Sequence, residues 1–325
     1  MIGHYSNKIV DYLAYVYLRS LSLRKTLEIS LAWFEQDIIS KKTLLQLLEK
    51  LIDTLPSVGQ VTKKLNPIRS GYYAFDGTWF KFFNLSIVIL ICFDVKTLDI
   101  ISYCVAEDEN YNAYKKLIAI VETENGNILA KAKGFFADGE LTFLKHYKEK
   151  FAHVPLQLCV FHKYSRAGQL LPLKHARGIN LEIKLRVEKV LFAPTKAEAI
   201  DSLKQLRKYA SEHQENDKLQ KIIGVLKRNF QLLLTHFDNP EMSPYNNVLE
   251  GFNHIIKRKL RLTKGFKKEL NINRWLKLML LDYRFHIIRS SKLPERNGKS
   301  PLELAEVKLP KHYNWITLLR KKSII

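Results

Sequence analysis

The continuous apolar run from Leu85 to Phe93 constrains the fold of this chain more than any other stretch. A run of this length that is rich in Ile, Val and Leu is typical of a strand buried inside a sheet. It is about half as long as a membrane-spanning helix requires. The short connection Val95–Leu98 leads directly into a second apolar run that ends at Ala106, which predicts a hairpin.

Two further strand-like segments end in the same dipeptide. Tyr72–Phe75 runs into Asp76-Gly77, and Gly134–Ala137 runs into Asp138-Gly139. A fifth segment, Pro155–Val160, follows a predicted helix over residues 141–151, and another helix is predicted over residues 110–124. The order β-β-β-α-β-α-β predicts an α/β fold with a mixed sheet.

The rest of the chain has helical periodicity. Residues 163–243 carry no strand signal and predict an all-helical insertion. Residues 8–55 predict three short helices, with Ser22 and Ser40 as caps of the second and third. Such a region suits a helix-turn-helix that presents Lys41 and Lys42 to DNA, but its nearly neutral charge suits a small helical cap on the main domain equally well.

These patterns divide the chain into five regions. We expect a helical, helix-turn-helix-like domain over residues 1–56 and a linker over 57–71. The first part of the sheet domain is expected over 72–162 and the helical insertion over 163–243. Residues 244–325 would complete the sheet domain and add basic helices.

The charge of the chain predicts a polyanionic partner. Lys and Arg number 53 against 32 Asp and Glu, so the formal net charge is +21. Ribosomal association or an anionic membrane surface would explain the charge alone, but neither requires Asp residues at the ends of apolar strands. Three cysteines in apolar surroundings and the lack of a signal-peptide pattern predict a soluble cytoplasmic protein, associated with the nucleoid when it binds DNA.

One acidic residue lies at the head of a basic helical pattern. In Ser243–Lys259, Glu250 precedes a series of Lys and Arg, and Leu249, Phe252 and Ile256 recur at helical spacing. Glu250 alone is explained as well by an ion pair within the helix, and each Asp-Gly alone by a turn. Together, Asp76, Asp138 and Glu250 predict a site for divalent metal ions that acts on phosphates, because carboxylates are the ligands that Mg²⁺ and Mn²⁺ prefer.

Four motifs carry a family resemblance: Phe75-Asp76-Gly-Thr, Ala137-Asp138-Gly, Cys159-Val-Phe-His162, and the stretch from Asn246 to Lys257. As a set they resemble the catalytic core of DDE transposases, and most of all the Mutator-like transposases of insertion sequences. The resemblance covers roughly residues 70–290. It implies a ribonuclease-H-like fold with a helical insertion before the final Glu.

The resemblance also implies roles for individual residues. Asp76, Asp138 and Glu250 would be catalytic and hold two ions, Mg²⁺ or Mn²⁺. Cys159 and His162 match a recurring Cys-x-x-His pair, which we interpret as a structural or DNA-positioning element, with a buried cysteine beside a satisfied histidine as the alternative. The expected DNA contacts are Asn253, Lys257, Lys259, Arg261, Lys264, Lys267 and Lys268.

We therefore predict a DNA transposase that cleaves and transfers strands of double-stranded DNA, acting as a homo-oligomer and not at a membrane. The alternatives are a ribonuclease-H-like nuclease and a non-catalytic DNA-binding regulator. Trp79 would stack on a DNA base or pack in the core, and core packing is the favoured prediction.

Overall fold

The computed structural model describes residues 5–35, 39–82, 85–139, 141–171, 176–262, 269–311 and 313–320. The chain folds into two compact units, each built from separate segments. The first contains Met1–Gly71, Gly77–Leu129 and Val248–Ile325, and the second contains Tyr72–Asp76 and Ala130–Asn247.

The sheet has five strands in the order β3-β2-β1-β4-β5, which confirms the predicted mixed α/β sheet. Strands β2 and β3 are antiparallel, whereas β4 is parallel to both β1 and β5. The strands are β1 (Tyr72–Phe82), β2 (Leu85–Asp94), β3 (Ile100–Ala106), β4 (Gly134–Ala137) and β5 (Leu156–Leu158). As predicted, β2 is buried along its apolar run, since Val88 to Phe93 have no exposed surface.

The first unit begins with four helices. They are α1 (Asn7–Ser20), α2 (Leu23–Phe34), α3 (Lys41–Thr54) and α4 (Val58–Leu65). Ser22 and Ser40 cap α2 and α3 as predicted, because each side chain accepts a hydrogen bond from a backbone N–H of the first turn. Residues 57–71, where a linker is predicted, contain α4, which starts with a capping box formed by Ser57 and Gln60.

The remaining helices of the first unit pack around the β2-β3 hairpin and the N-terminal helices. They are α5 (Tyr111–Asn125), α14 (Glu269–Phe285), α15 (Pro301–Leu304), α16 (Trp315–Arg320) and all but the first residue of α13 (Asn247–Leu262). A buried ion cluster joins α14 to the turn between β2 and β3: Arg284 of α14 donates two hydrogen bonds to Asp99, at 2.7 and 2.8 Å. Arg69 donates a third hydrogen bond to Asp99, at 2.8 Å.

The second unit contains the helical insertion. Its helices are α6 (Leu141–Lys150), α7 (Val160–Leu170), α8 (Ile179–Leu191), α9 (Lys196–Glu212), α10 (Asp217–Lys227), α11 (Phe230–Leu233) and α12 (Thr235–Asp238). The described part of residues 163–243 is helical and contains no strand, as predicted. Lys163 is buried and donates hydrogen bonds to the carbonyls of Val225 and Arg228, at the end of α10.

Two predicted elements differ from the structure. The helix predicted over residues 219–237 is divided into α10, α11 and α12, because Asn229 adopts a left-handed conformation with φ 56°. The predicted turn at Asp76-Gly77 is wrong: β1 continues to Phe82, since the following Trp79 and Phe80 favour a strand. None of the described helices combines the length and apolar character needed to cross a membrane.

Candidate active site

In the second unit, three polar residues come directly after three strand residues that are paired side by side in the sheet. The parallel register pairs Phe75 of β1 with Ala137 of β4, and Ala137 with Leu158 of β5. Asp76, Asp138 and Cys159 are the next residues along the three strands. Neighbouring strands are about 4.8 Å apart, so the backbones of Asp76 and Asp138 lie side by side.

Buried neighbours fix the two aspartates at this edge. Phe75 and Ala137 are each only 1% exposed, and the ring of Phe75 stacks on Phe143 of α6 at 4.5 Å between centroids. Asp76 and Asp138 themselves are partly exposed. Gly139 has a φ of +92°, which an L side chain rarely adopts, so the chain leaves the sheet directly after Asp138.

Cys159 and His162 flank the carboxylates at the start of α7. Cys159 is buried, occupies the position before the helix, and donates its backbone N–H to the carbonyl of Ala137 at 2.9 Å. The pKa of His162 is raised to about 9, mainly by a hydrogen bond with the Cys159 side chain. Burial opposes this shift, and electrostatic interactions with Cys159, Asp138 and Asp76 support it. These interactions favour the protonated, positively charged form of His162 beside the aspartates.

The structure places a second cation, Arg166, near Asp138, and the sequence motifs did not predict it. Arg166 lies one turn after His162 on α7, and its Nη2 is 3.5 Å from Oδ2 of Asp138. The spacing of four residues places both cations on the same side of the helix. This spacing is visible in the sequence once His162 is assigned to a helix, but the pairing with Asp138 depends on where α7 starts relative to β4.

Glu250 belongs to the first unit and lies in the first turn of α13. The apolar face predicted for this helix is present, because Leu249, Phe252 and Ile256 are at most 2% exposed. The ring centroid of Phe252 is 5.2 Å from that of Phe93 in β2. Glu250 itself is partly exposed, and its role as a third metal ligand stays a prediction.

The predicted DNA contacts have different surroundings. Lys41, Lys42 and Arg261 are exposed, and Lys257 is partly exposed. Asn253 is only 6% exposed, and Lys259 forms an ion pair with the buried Asp282 at 3.0 Å. Lys264, Lys267 and Lys268 lie outside the described residues.

Comparison with known proteins identifies the family. The model of the family "Transposase, Mutator family" matches residues 6–290, which include both aspartates, the Cys-x-x-His pair and Glu250. The chain belongs to the Mutator family of transposases.

A transposase for insertion sequence element IS1201 from Lactobacillus helveticus is 22% identical to this Mutator-family chain over 190 residues. These residues are 57% of the chain and 48% of that transposase. The chain thus spans about half the length of this curated relative.

Trp79 of this Mutator-family protein is not a core residue, so the favoured prediction of core packing is wrong. Its side chain is 43% exposed, and its indole N–H donates to Oε2 of Glu109 at 3.2 Å. Oε1 of Glu109 accepts a second hydrogen bond, from Tyr114 at 2.7 Å. The Glu109 carboxylate lies within 2.7 Å of the position that a Cβ on Gly77 would occupy. Only glycine at position 77 leaves this arrangement undisturbed.

The donor set of the second unit suits a hard divalent cation. Asp76 and Asp138 offer carboxylate oxygens at one edge of the sheet, and both are accessible to solvent. Mg²⁺ and Mn²⁺ bind through one or two carboxylates and keep several water ligands. The residues present therefore fit such an ion.

Proposed function

We propose that this Mutator-family protein is a DNA transposase that cleaves and transfers strands by a DDE mechanism. Asp76, Asp138 and Glu250 would hold two Mg²⁺ or Mn²⁺ ions. When bound, such ions would activate the attacking oxygen and stabilise the leaving oxygen of a phosphodiester. The observation that carries the proposal is the register of β1 and β4, which gives two partly exposed aspartates neighbouring positions.

The protein's own side chains would bind and orient the DNA. His162 and Arg166 would provide positive charge beside the aspartates, where the negative phosphates of DNA approach. Lys41 and Lys42 at the start of α3, and Lys257 and Arg261 on α13, would contact phosphates. The net charge of +21 supports double-stranded DNA as the partner.

We propose that the sheet is of the ribonuclease-H-like type. Support comes from the chain order of three strands, a helix, a strand, a helix and a fifth strand, and from the mixed sheet with β1 at its centre. The helical segment between β5 and α13 would be the insertion that the family resemblance implies. Because a transposition reaction joins two DNA ends, we also propose that the protein acts as a homo-oligomer.

Cleavage and strand transfer on duplex DNA that carries the flanking element end test the proposal. Wild type and Asp138→Asn are compared in Mg²⁺ or Mn²⁺, since this substitution keeps the shape of the side chain and removes its charge. We expect wild type to cut and join DNA, and Asp138→Asn to bind DNA but to lose activity by at least ~100-fold.

Other outcomes would favour the alternatives. Cutting without joining would favour a nuclease. Binding without either reaction would favour a DNA-binding regulator. Full activity of Asp138→Asn would show that the metal site lies elsewhere.

A further inference from the structure

Arg166 lies beside Asp138 and is the more exposed of the two side chains. Its Nη2 is 3.5 Å from Oδ2 of Asp138, and its Nη1 is 3.9 Å from the position of a Cβ built on Gly139. The guanidinium group thus extends along the backbone that follows Asp138. The side chain remains 37% exposed, against 22% for that of Asp138.

The contact with Asp138 uses little of the hydrogen-bonding capacity of Arg166. A distance of 3.5 Å is longer than a normal N–H···O hydrogen bond, and partly exposed ion pairs contribute little to stability. The guanidinium group has five N–H donors. The side chain is 37% exposed, so part of the guanidinium group is accessible to a ligand.

The charges at this edge change when a divalent cation binds. Without the ion, the carboxylate of Asp138 lies beside the guanidinium group of Arg166. A divalent cation on Asp138 would neutralise the carboxylate that holds Arg166 and repel the guanidinium group at short range. The guanidinium group is planar and matches two oxygens of a phosphate, which makes phosphate its best new partner.

Building on the proposed function, we propose that Arg166 exchanges partners during DNA binding. It pairs with Asp138 when no divalent cation is bound, and it binds phosphate oxygens of the DNA strand once Asp138 holds the cation. Arg166 thereby competes with the cation in the absence of DNA and couples cation binding to DNA binding.

Titration with Mn²⁺ in the absence of DNA tests the competition. Bound Mn²⁺ is measured by electron paramagnetic resonance on the full chain. We expect Arg166→Gln to bind Mn²⁺ roughly three- to ten-fold more tightly than wild type, because it removes a competing charge. Arg207→Gln is the matched control: it makes the same charge change at an exposed position on α9, in the same unit, and should leave Mn²⁺ affinity unchanged.

Duplex binding tests the coupling. The affinity for a DNA duplex is compared in EDTA and in Ca²⁺, and the ratio of the two affinities is the measured quantity. We expect the ion to increase the affinity of wild type, and Arg166→Gln to lose most of this increase while binding DNA normally in EDTA. Arg166→Lys keeps the charge but not the planar fork, so it should restore wild-type Mn²⁺ affinity and only part of the ion-dependent increase.

The outcomes separate the two proposals. If Arg166→Gln binds Mn²⁺ no more tightly than Arg207→Gln, or more weakly than wild type, the exchange of partners is refuted. If Asp138→Asn binds Mn²⁺ as tightly as wild type, the proposed metal site itself is wrong. If no Mn²⁺ binds without DNA, the ratio of DNA affinities decides, and an unchanged ratio in Arg166→Gln refutes the exchange. Thermal unfolding of each variant confirms that it is folded.

Discussion

Asp99 carries a charge inside the first unit because two arginines surround it. Asp99 and Arg284 have no exposed side-chain surface, and the side chain of Arg69 is only 8% exposed. Burial alone would raise the pKa of Asp99, but the charges and hydrogen bonds of Arg284 and Arg69 lower it below the ordinary value. The carboxylate of Asp99 is therefore ionised in the folded protein at neutral pH.

Removing this charge is expected to destabilise the protein strongly. Asp99→Asn removes the carboxylate that both buried guanidinium groups pair with, which costs about 3–5 kcal/mol in the free energy of unfolding. Urea unfolding at pH 7 measures the loss. Asp53→Asn is the control, because its ion pair with Arg274 is exposed and its loss costs less than about 1 kcal/mol. Equal losses of unfolding free energy in the two variants would contradict the conclusion that Asp99 is a buried, charged partner of the two arginines.

The same cluster predicts a pH dependence. Because the folded pKa of Asp99 is lowered, the unfolded state binds more protons at acidic pH. The stabilisation is therefore complete above the ordinary Asp pKa of about 3.9 and is lost as the pH falls through the folded pKa.

Among the elements, α10 depends on a buried lysine of α7. Lys163 holds the last carbonyls of α10, and its pKa is lowered to about 8, first by burial and then by the charges of Arg166 and Arg228. The ordinary Lys pKa is near 10.4. Between pH 8 and that value the unfolded state binds more protons than the folded state, so the contribution of Lys163 to stability rises with pH.

Replacement by methionine tests this contribution. Urea unfolding of wild type and Lys163→Met is measured from pH 7.5 to 10.5, and the difference in the free energy of unfolding is plotted against pH. We expect wild type to gain stability relative to the variant as the pH rises, because only wild type has this group. A difference that is constant or falls with pH would contradict the lowered pKa.

The sequence predicted elements whose signals are local. Ser22 and Ser40 mark helix starts because a cap involves only the first turn, and the apolar run of β2 is typical of a buried strand. Asp76 and Asp138 were also singled out by a local pattern, since each follows a strand-like run and precedes a glycine, although β1 continues past Asp76.

Features that depend on contacts distant in sequence were not predictable. Lys259 has the local appearance of a DNA contact, yet it pairs with Asp282, which is 23 residues away. Trp79 was assigned to the core, but Glu109 holds its indole at the surface from 30 residues away. Arg166 was missed because its partner, Asp138, lies on another element.

For the whole molecule, the net charge of +21 predicts DNA binding that weakens steeply with salt. If Lys41 and Lys42 each neutralise one phosphate, Lys41→Ala/Lys42→Ala should lower the magnitude of the slope of log affinity against log salt by about 2. Duplex affinity is measured from low to physiological salt.

Two exposed lysines elsewhere provide the comparison. Lys148→Ala/Lys150→Ala, on α6, removes the same charge and should leave the slope nearly unchanged. Equal slopes for the two double variants would show that α3 does not contact DNA.

The division of the chain between its two units has a consequence for protein synthesis. The second unit, apart from five residues of β1, is the continuous segment Ala130–Asn247, whereas the first needs Val248–Ile325 to cover its hairpin. Phe93 of β2 packs against Phe252 and Tyr283, which leave the ribosome late. At about 5–20 residues per second, translation from Asp94 to Phe285 takes roughly ten to forty seconds. During that time the side of Phe93 that α13 and α14 cover is exposed, and such transiently exposed apolar surface favours aggregation.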